Sequence, residues 1–452
     1  MTTLAASPIR YPNTGSREVM TRRGWWLVVL NFLIPGSAQV LAGNRRLGRL
    51  GLGSTLALWT LIVAGVAVYL FWPTVIYTLL TQPAVLWGAA IVLVFYAVLW
   101  VVLTLDTIRL VRLVRVAPAA RAFIAGLATV VMVVLSGGAG YAAYLATATS
   151  GFLNSVFVAG PSVPPVDGRY NFLLLGGDAG PDRDGLRPDS ITVVSVDAET
   201  GKATMIGLPR DLHFMPFPED SPLHAVYPEG YGAIDGCEVD VCMLNSVYTE
   251  VELKSPDMYP NAVAEGSEPG IEAMMDAVSG ALGIPLQYYV LVDMHGFAQL
   301  IDALGGVDIT VTERVPIHAD ETFTDVLEWI EPGEHHMNSY YALWYARSRH
   351  GTSDYDRMQR QRQLQEAILE QFNPANVLTK FQGIAESSAD VVRTDIPQSM
   401  LGYFVDLALK TKTLPIDRIE LIPDNGIDPE DPDYDYIHTM VHDALWPPTP
   451  AP

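Results

Sequence analysis

Three long runs of uncharged, largely apolar residues set the strongest limit on how this chain of 452 residues can fold. They cover residues 51–72, 84–105 and 122–146, and each is long enough to cross a hydrocarbon core about 30 Å thick. Soluble proteins rarely bury three such runs, and a cleaved signal peptide would account for only one of them. The sequence therefore predicts an integral membrane protein with these three runs as its spans.

The arginines predict the orientation of the spans. Residues 1–149 contain 11 arginines, no lysine, and only Glu18 and Asp106 as acids. The arginines flank the first apolar stretch and fill the loop before the last span, whereas the loop at 73–83 carries no charge. Because arginine-rich loops stay in the cytoplasm, we expect residues 1–24 inside the cell and residues 73–83 outside.

The apolar segment 25–43 fits this pattern poorly, because arginines lie at both of its ends. It is also short and is interrupted by Asn31, Pro35 and Gly36. We interpret it as a re-entrant or interfacial hairpin followed by three spans; the alternative is a fourth span, with the N-terminus outside. In either case the membrane region covers residues 25–149, and the last span delivers residues 150–452 to the outer face.

The outer part has a very different charge, with 17 basic and 48 acidic side chains in residues 150–452. Such a surface repels phosphate backbones, which argues against a nucleic-acid-binding protein or a transcription factor. Residues 150–168 contain Gly160, Pro161, Pro164 and Pro165 and are predicted to be a linker. Residues 169–446 form the predicted outer domain, and the proline-rich residues 447–452 are predicted to be a disordered tail.

Strand-like and helix-like patterns alternate through the outer domain. The segments predicted as strands are 171–175, 190–196, 203–208, 288–292 and 307–311. The segments with helical periodicity are 270–282, 296–304 and 354–371. This order predicts an α/β domain in which helices sandwich one central mixed sheet.

The two cysteines, Cys237 and Cys242, are five residues apart in the outer domain. Because the environment outside the membrane is oxidising, a disulfide closing this small loop is the favoured interpretation. Two buried thiols are the alternative. Zinc binding is less favoured, since two thiolates without nearby histidines do not complete a zinc ligand set.

Arginines are concentrated in one short segment of the acidic domain: Arg347, Arg349, Arg357, Arg360 and Arg362. Such a cluster repels itself unless it holds an anion. Arg347 and Arg349 would share a face if their segment is extended, and Arg357, Arg360 and Gln361 would lie on one side of the helix 354–371. Guanidinium groups near a helix N-terminus suit a phosphate or pyrophosphate. Surface arginines paired with nearby acids are the alternative.

Two aspartates and one arginine come at the ends of predicted strands. Asp178 follows an apolar strand and a glycine pair, Asp189 opens the next strand, and Arg210 ends the third in Leu-Pro-Arg-Asp. Carboxylates at the ends of adjacent strands can approach each other and, with diphosphate oxygens, hold Mg²⁺. Solvated loop aspartates and a structural Arg–Asp pair are the alternatives.

These motifs, in this order, resemble the LytR-CpsA-Psr family of cell-envelope proteins. The resemblance covers about residues 170–370 and continues more weakly to about 446. It includes Asn-Phe-Leu-Leu-Leu-Gly-Gly-Asp, Arg-Pro-Asp-Ser and Gly-Leu-Pro-Arg-Asp. The most specific parts are Ala-Leu-Trp-Tyr-Ala-Arg-Ser-Arg-His and Ser-Asp-Tyr-Asp-Arg-Met-Gln-Arg-Gln-Arg-Gln.

The resemblance implies a phosphotransferase that takes a glycopolymer from a polyprenyl-pyrophosphate carrier and attaches it to a peptidoglycan hydroxyl. It implies that Asp178 and Asp189 hold Mg²⁺ and that a hydrophobic channel between sheet and helices holds the lipid tail. The residues it assigns to the pyrophosphate are Arg187, Arg210, Arg347, Arg349, Arg357, Arg360 and Gln361. We take Asp356, beside Arg357, as the candidate base.

Two other functions remain open from the sequence. A polyprenyl-pyrophosphate phosphatase would use the same residues but release the polymer to water. A non-catalytic regulator that binds lipid or wall glycan is the second alternative, although a binding protein has no need of a metal site.

Overall fold

The computed structural model describes residues 9–177, 187–319, 325–348, 353–371 and 392–447. The chain forms two compact units, residues 1–151 and 152–452. Each unit has its own packed interior and is described separately.

The first unit is entirely helical in the part that the structure describes. Its helices are α1 (Arg17–Leu33), α2 (Ser37–Ala42), α3 (Arg45–Phe71), α4 (Pro73–Leu80), α5 (Pro83–Val111) and α6 (Pro118–Val156). The predicted spans 84–105 and 122–146 lie within α5 and α6, and the span 51–72 lies within α3 except for Trp72, which follows its last residue. These three helices are long and apolar enough to cross a membrane. Most of their side chains face outward, as expected where lipid rather than protein is the neighbour.

Polar side chains bind α1 and α2 to the same part of α5. The Arg23 guanidinium donates to the carbonyl of Leu110 at 2.7 Å, and two turns later the Asn31 amide donates to the Thr104 hydroxyl at 3.1 Å. On α2, the Gln39 amide donates to the Leu103 carbonyl at 2.7 Å. Such hydrogen bonds between apolar helices stabilise their packing.

The chain reverses direction between α1 and α2 at Pro35 and Gly36. Gly36 has φ of 95°, and a Cβ atom there would lie 2.3 Å from the backbone nitrogen of Leu52, so only glycine fits. The carbonyl of Pro35 accepts a hydrogen bond from the Thr55 hydroxyl of α3. One face of α3 also approaches α2, where Gly48 packs on Val40. α1 and α2 therefore form a helical hairpin whose tip packs against the N-terminal half of α3.

The second unit contains ten strands and eight helices of four residues or more among its described residues. The strands are β1 (Arg169–Gly177), β2 (Pro188–Asp197), β3 (Ala203–Leu208), β4 (Tyr288–Asp293), β5 (Val307–Val311), β6 (Val315–Ala319), β7 (Val326–Ile330), β8 (Gly333–Met337), β9 (Val392–Thr394) and β10 (Asp417–Glu420). The helices are α7 (Pro222–Val226), α8 (Leu244–Lys254), α9 (Pro269–Leu282), α10 (Met294–Leu304), α11 (Ser339–Arg347), α12 (Asp354–Gln371), α13 (Leu401–Thr411) and α14 (Tyr434–Leu445).

Six strands form the central sheet, in the order β10-β3-β2-β1-β4-β9. β1 pairs antiparallel with β2 and parallel with β4, so the sheet is mixed. Two hairpin-like pairs, β5–β8 and β6–β7, form small antiparallel sheets of their own. The register of β1 against β2 shifts between Gly176 and Gly177, where the strand approaches its end.

Alternate residues of β1 and β4 face opposite sides of the sheet. Leu173, Leu175 and Leu291 pack into a core with α8, α9 and α14, whereas Leu174 and Val290 line a cavity on the other side. A second core joins α10, α11 and α12 to the small sheets. The predicted sandwich of helices around a central mixed sheet is confirmed.

The structure adds elements that the sequence did not predict, namely helices α7, α8, α11, α13 and α14 and strands β6 to β10. It also alters one local expectation. Arg347 ends the helix α11 rather than an extended segment, so its neighbours on the same face are residues three and four positions earlier. Cys237 and Cys242 are joined by a disulfide with a Cα–Cα distance of 5.7 Å.

Candidate active site

A cavity of about 1070 Å³ lies between the central sheet and the layer formed by α10, α11 and α12. Its interior is apolar, with side chains contributed by both walls. These are Leu174, Val290, Val292, Phe297, Leu300, Leu343, Leu364 and Ile368. Its polar side chains include six of the residues that the sequence singled out: Arg187, Asp189, Arg210, Arg347, Arg357 and Gln361.

Arg210 is held by two carboxylates at the end of β3. Its Nη1 donates to Oδ1 of Asp189 at 2.8 Å, and its Nε donates to Oδ2 of Asp354 at 3.2 Å. Burial alone would lower the pKa of Arg210, but the hydrogen bond and charge of Asp189, and then those of Asp354, raise that pKa above its ordinary value. The guanidinium is therefore a fixed positive charge, with about a quarter of its side chain exposed to the cavity.

Arg357 extends this network from the first turn of α12. Only 2% of its side chain is exposed, and its Nη1 lies 3.3 Å from Oδ1 of Asp354, three residues earlier. Asp354 thus bridges Arg210 and Arg357. Gln361 lies one turn further along α12 and donates to the carbonyl of Ala346 at 3.2 Å, which joins α12 to α11.

Arg347 is exposed at the rim of the cavity, where an aromatic side chain orients it. Its guanidinium carbon lies 5.1 Å from the ring centroid of Trp344, one turn earlier in α11. The Trp344 ring in turn contacts the His318 ring of β6, with centroids 4.0 Å apart. All three residues line the cavity.

Arg360 and Arg362 lie elsewhere, and neither lines the cavity. The Arg360 guanidinium donates to the carbonyls of Tyr345 and Ser348, and its burial lowers its pKa. Arg362 is 3% exposed, pairs with Glu420, and lies against Gly207 of β3. These contacts hold α12 against α11 and against the sheet.

Asp356, the predicted base, also lies away from the cavity lining. Its Oδ2 accepts hydrogen bonds from the backbone and the hydroxyl of Ser353, both at 2.8 Å, and the Ser353 hydroxyl accepts from the Asp356 amide. This reciprocal arrangement is a capping box, which stabilises the start of α12.

Two of the predicted site residues, Asp178 and Arg349, lie outside the described residues. Asp189 is the predicted magnesium ligand that lies within the described residues. Within the ranges that the structure describes, no three His, Cys, Asp or Glu side chains are grouped as metal ligands. Mg²⁺ commonly uses one or two carboxylates and takes its other oxygens from water and substrate phosphates. The oxygen of Asp189 beside a cavity rich in arginine fits such a site.

The disulfide loop supports another wall of the cavity. Val241 and Met243, on either side of Cys242, both line it. Behind them Glu250, which is 4% exposed, accepts hydrogen bonds from the hydroxyls of Tyr227 and Tyr231. Burial and the hydrogen bonds to Glu250 raise the pKa of both tyrosines, so they remain protonated donors.

Sequence reasoning missed His318, Trp344 and Asp354 as members of the site. The sequence places Asp354 only at the start of a helix, because its bridging of Arg210 and Arg357 depends on a contact between residues 144 positions apart. His318 has φ of 48°, an uncommon backbone conformation for a residue with a side chain. A strand pattern gives no warning of such a conformation.

Comparison with known proteins places this site in a family. The LytR_cpsA_psr family model matches residues 154–427, which include every described residue of the cavity. Biofilm regulatory protein A of Streptococcus mutans is 28% identical over 246 residues, covering 52% of this chain and 53% of its own length. The polyisoprenyl-teichoic acid–peptidoglycan teichoic acid transferase TagV of Bacillus subtilis is 28% identical over 216 residues, covering 46% of this chain and 45% of its own.

This chain thus spans about half the length of these two curated relatives. The crystal structure of B. subtilis TagV has a TM-score of 0.42 and 21% identity, covering 61% of this chain and 97% of that one. The family match extends over more than half of the sequence and contains the sheet, the cavity and the arginines at its rim. The chain belongs to the LytR_cpsA_psr family.

Proposed function

We propose that this protein transfers a glycopolymer from a polyprenyl-pyrophosphate carrier to a peptidoglycan hydroxyl, forming a phosphodiester at the outer face of the membrane. The observation that carries the proposal is the cavity, in which an apolar interior adjoins Arg187, Arg210, Arg347 and Arg357. A polyprenyl diphosphate has the same two parts, a hydrocarbon tail and a strongly anionic head. The transferase name of the related B. subtilis protein supports the same assignment.

The proposed reaction forms one phosphorus–oxygen bond and breaks another. The acceptor oxygen attacks the sugar-side phosphorus, the bridging bond of the diphosphate breaks, and polyprenyl phosphate leaves with the electron pair. The acceptor proton passes to a base. No ATP is needed, because the activated diphosphate bond arrives with the lipid.

Charge neutralisation is the main contribution that the protein can make to such a transfer. Arg210 is fixed by Asp189 and Asp354, so it can stabilise the leaving phosphate without reorganising. Arg347 is exposed at the rim and can bind a diphosphate oxygen as the lipid enters. We further propose that Asp178 and Asp189 hold Mg²⁺, which would neutralise part of the diphosphate charge.

The proposed location is the plasma membrane, with several spans and the second unit outside the cell. Three apolar helices of sufficient length and the distribution of arginines support it. Labelling of intact cells with a membrane-impermeant maleimide tests the topology. Leu80→Cys should be labelled and Arg46→Cys should not. Labelling of Asn13→Cys would favour four spans, and protection would favour the re-entrant hairpin with three.

The function is tested with the full chain in lipid nanodiscs, given a polyprenyl-pyrophosphate sugar and a peptidoglycan oligosaccharide. Mass spectrometry follows the products with magnesium and with chelator, for the wild type, Asp189→Ala and Arg347→Ala. A magnesium-dependent glycan-phosphate adduct that both variants lose supports the transferase and its site.

Other products would favour the other functions. Glycan phosphate released to water without an adduct would indicate the phosphatase. Lipid binding without any turnover would indicate a binding or regulatory protein, a role suggested by the name of the related S. mutans protein. An adduct that forms equally well in chelator would remove magnesium from the proposal.

A further inference from the structure

The proposed transfer requires a base for the acceptor hydroxyl, and the cavity contains a candidate that the sequence did not reveal. We propose that His318 takes the acceptor proton, an inference that rests on the proposed transfer reaction. Asp356 is a weaker candidate, because it caps α12 and does not line the cavity. His318 lines the cavity and is exposed to solvent.

The His318 side chain is placed with some cost to the backbone. Its φ of 48° lies in the left-handed region, which costs an ordinary residue about 1 kcal/mol or more. The Trp344 ring, 4.0 Å away between centroids, fixes the direction of the imidazole. Backbone strain of this kind is concentrated at active sites and binding sites, where it helps to preorganise the side chain.

The ring nitrogens of His318 are available for chemistry. Neither makes a hydrogen bond to any residue within the described ranges. The carboxylates of the cavity have partners: Asp189 accepts from Arg210, Asp293 accepts from the Gly296 amide at the start of α10, and Asp325 also interacts with a neighbouring group. Imidazole is also the side chain that exchanges a proton most readily near neutral pH.

Trp344 places His318 and Arg347 in the same part of the cavity. The Trp344 ring lies 4.0 Å from the His318 ring, centroid to centroid, and its centroid lies 5.1 Å from the Arg347 guanidinium carbon. A diphosphate held by Arg347 would therefore lie near the imidazole, as a proton acceptor for the attacking hydroxyl requires. The Ser348 hydroxyl donates to the Pro316 carbonyl at 2.9 Å, which ties the end of α11 to β6.

The location also suits the direction from which each substrate must arrive. The apolar interior of the cavity accommodates the lipid tail, whereas Arg347 and His318 are exposed at the rim. A peptidoglycan hydroxyl must approach from the solvent side. It would meet His318 beside the diphosphate, give up its proton to one ring nitrogen, and attack the sugar-side phosphorus as the bond to polyprenyl phosphate breaks.

Charged groups on the neighbouring elements define the electrostatic setting of this histidine. Arg347 lies on α11, Glu328 on β7, and Asp325 immediately before β7. Glu328 accepts a hydrogen bond from the Tyr341 hydroxyl at 3.0 Å. A pH profile of the His318 variants separates the imidazole from these groups, because only the imidazole is changed.

The test measures transfer by the full chain in nanodiscs, using a polyprenyl-pyrophosphate disaccharide and a peptidoglycan oligosaccharide. Asparagine and glycine both tolerate positive φ, so His318→Asn and His318→Gly preserve the backbone. We expect each to lower the transfer rate about 100-fold while the Kd for the lipid stays within twofold of wild type. The acidic limb of the pH profile should disappear, and adding free imidazole should raise the transfer rate of His318→Gly at least tenfold.

The matched control is His336→Gln, a surface histidine paired with Asp308 outside the cavity, which should keep the wild-type rate. The proposal is overturned if the His318 variants keep the wild-type rate, if they lose lipid binding in parallel, or if imidazole restores nothing. If Asp356→Asn lowers the transfer rate while the His318 variants keep the wild-type rate, the base is Asp356. If the wild type itself forms no adduct, the proposed function fails before the role of His318 is tested.

Discussion

The guanidinium of Arg210 donates to the carboxylate of Asp189 at 2.8 Å, joining the end of β3 to the start of β2 beside the cavity. The two residues are 21 positions apart, and the antiparallel pairing of these strands brings them together. Asp354 holds the other side of the same guanidinium at 3.2 Å. A positive charge fixed from two directions needs no rearrangement when a diphosphate binds.

Replacing Arg210 should therefore affect chemistry more than binding. We expect Arg210→Gln to lower kcat for transfer by about 100-fold or more, because a charge aimed at the leaving phosphate is lost. The Kd for the lipid should rise less, because Arg347 and Arg187 remain. Steady-state kinetics of the full chain measure both quantities. Arg418→Gln is the control, since Arg418 pairs with Glu366 and does not line the cavity; an equal loss in this variant would refute the assignment.

Arg347 and Arg362 belong to one arginine-rich segment but should respond in opposite ways to substitution. Arg347 is exposed at the rim, so Arg347→Gln should leave the melting temperature unchanged and weaken binding of the lipid pyrophosphate. Arg362 is buried and paired with Glu420, so Arg362→Ala leaves an unpaired carboxylate and should lower the free energy of unfolding by about 3 kcal/mol.

Thermal unfolding in detergent and lipid binding by native mass spectrometry distinguish the two arginines. Arg362→Ala, measured below its melting temperature, should retain transfer activity per folded molecule. The different roles of the two arginines would be refuted if Arg362→Ala lost transfer activity without losing thermal stability. They would also be refuted if Arg347→Gln lowered the melting temperature.

The disulfide should stabilise the wall of the cavity next to Val241 and Met243. Cys237→Ser with Cys242→Ser should lower the free energy of unfolding by about 2 kcal/mol, the entropy expected from opening so short a loop. Reducing the wild type with dithiothreitol should give the same loss. Additional destabilisation of the double variant by dithiothreitol would show that the reagent acts elsewhere.

The raised pKa of Asp395 makes the free energy of unfolding depend on pH. Burial raises the pKa of Asp395 to about 7. Hydrogen bonds from backbone amides, including that of Tyr289 at 2.8 Å, lower this pKa but do not outweigh the effect of burial. The folded state then binds this proton more tightly than the unfolded state, whose pKa is near 4. Stability from this group is full below pH about 4 and is lost as the pH rises towards 7.

The matched variant is Asp395→Asn, which keeps an acceptor oxygen for the Tyr289 amide and cannot ionise. We expect its melting temperature, relative to wild type, to increase between pH 5 and pH 8. A constant difference over this range would show that Asp395 ionises with an ordinary pKa in the folded protein.

Local patterns were sufficient to predict strands β1 to β5 and helices α9, α10 and α12 of the second unit. The β-branched run at 190–196 became β2, and the periodic segment at 270–282 became α9, because both alternate or repeat with clear spacing. The apolar runs of the first unit lie within long helices for the same reason. Helix α11 was missed because tyrosine and tryptophan dominate it and its exposed face carries no distinct polar pattern.

Only the site residues that are marked by their residue type or by their place at a strand end could be predicted from the sequence. Asp189, Arg210 and Arg347 were identified because strand ends and arginine clusters are local signals, whereas Arg187 followed only from the resemblance to the family. The roles of Arg360 and Asp356 could not be read in this way. The contacts of Arg360 depend on the packing of α12 against α11, and those of Asp356 depend on a serine three residues earlier.

In the proposed reaction the sugar-side phosphate is transferred together with the glycan, and isotope labelling can follow this phosphate. The full chain receives a donor with ¹⁸O only in the non-bridging oxygens of the sugar-side phosphate, together with a peptidoglycan oligosaccharide. We expect an adduct that contains one labelled phosphate, and a released polyprenyl phosphate without label. An adduct without phosphorus, accompanied by labelled polyprenyl pyrophosphate, would show attack at the sugar carbon and refute the proposed transfer.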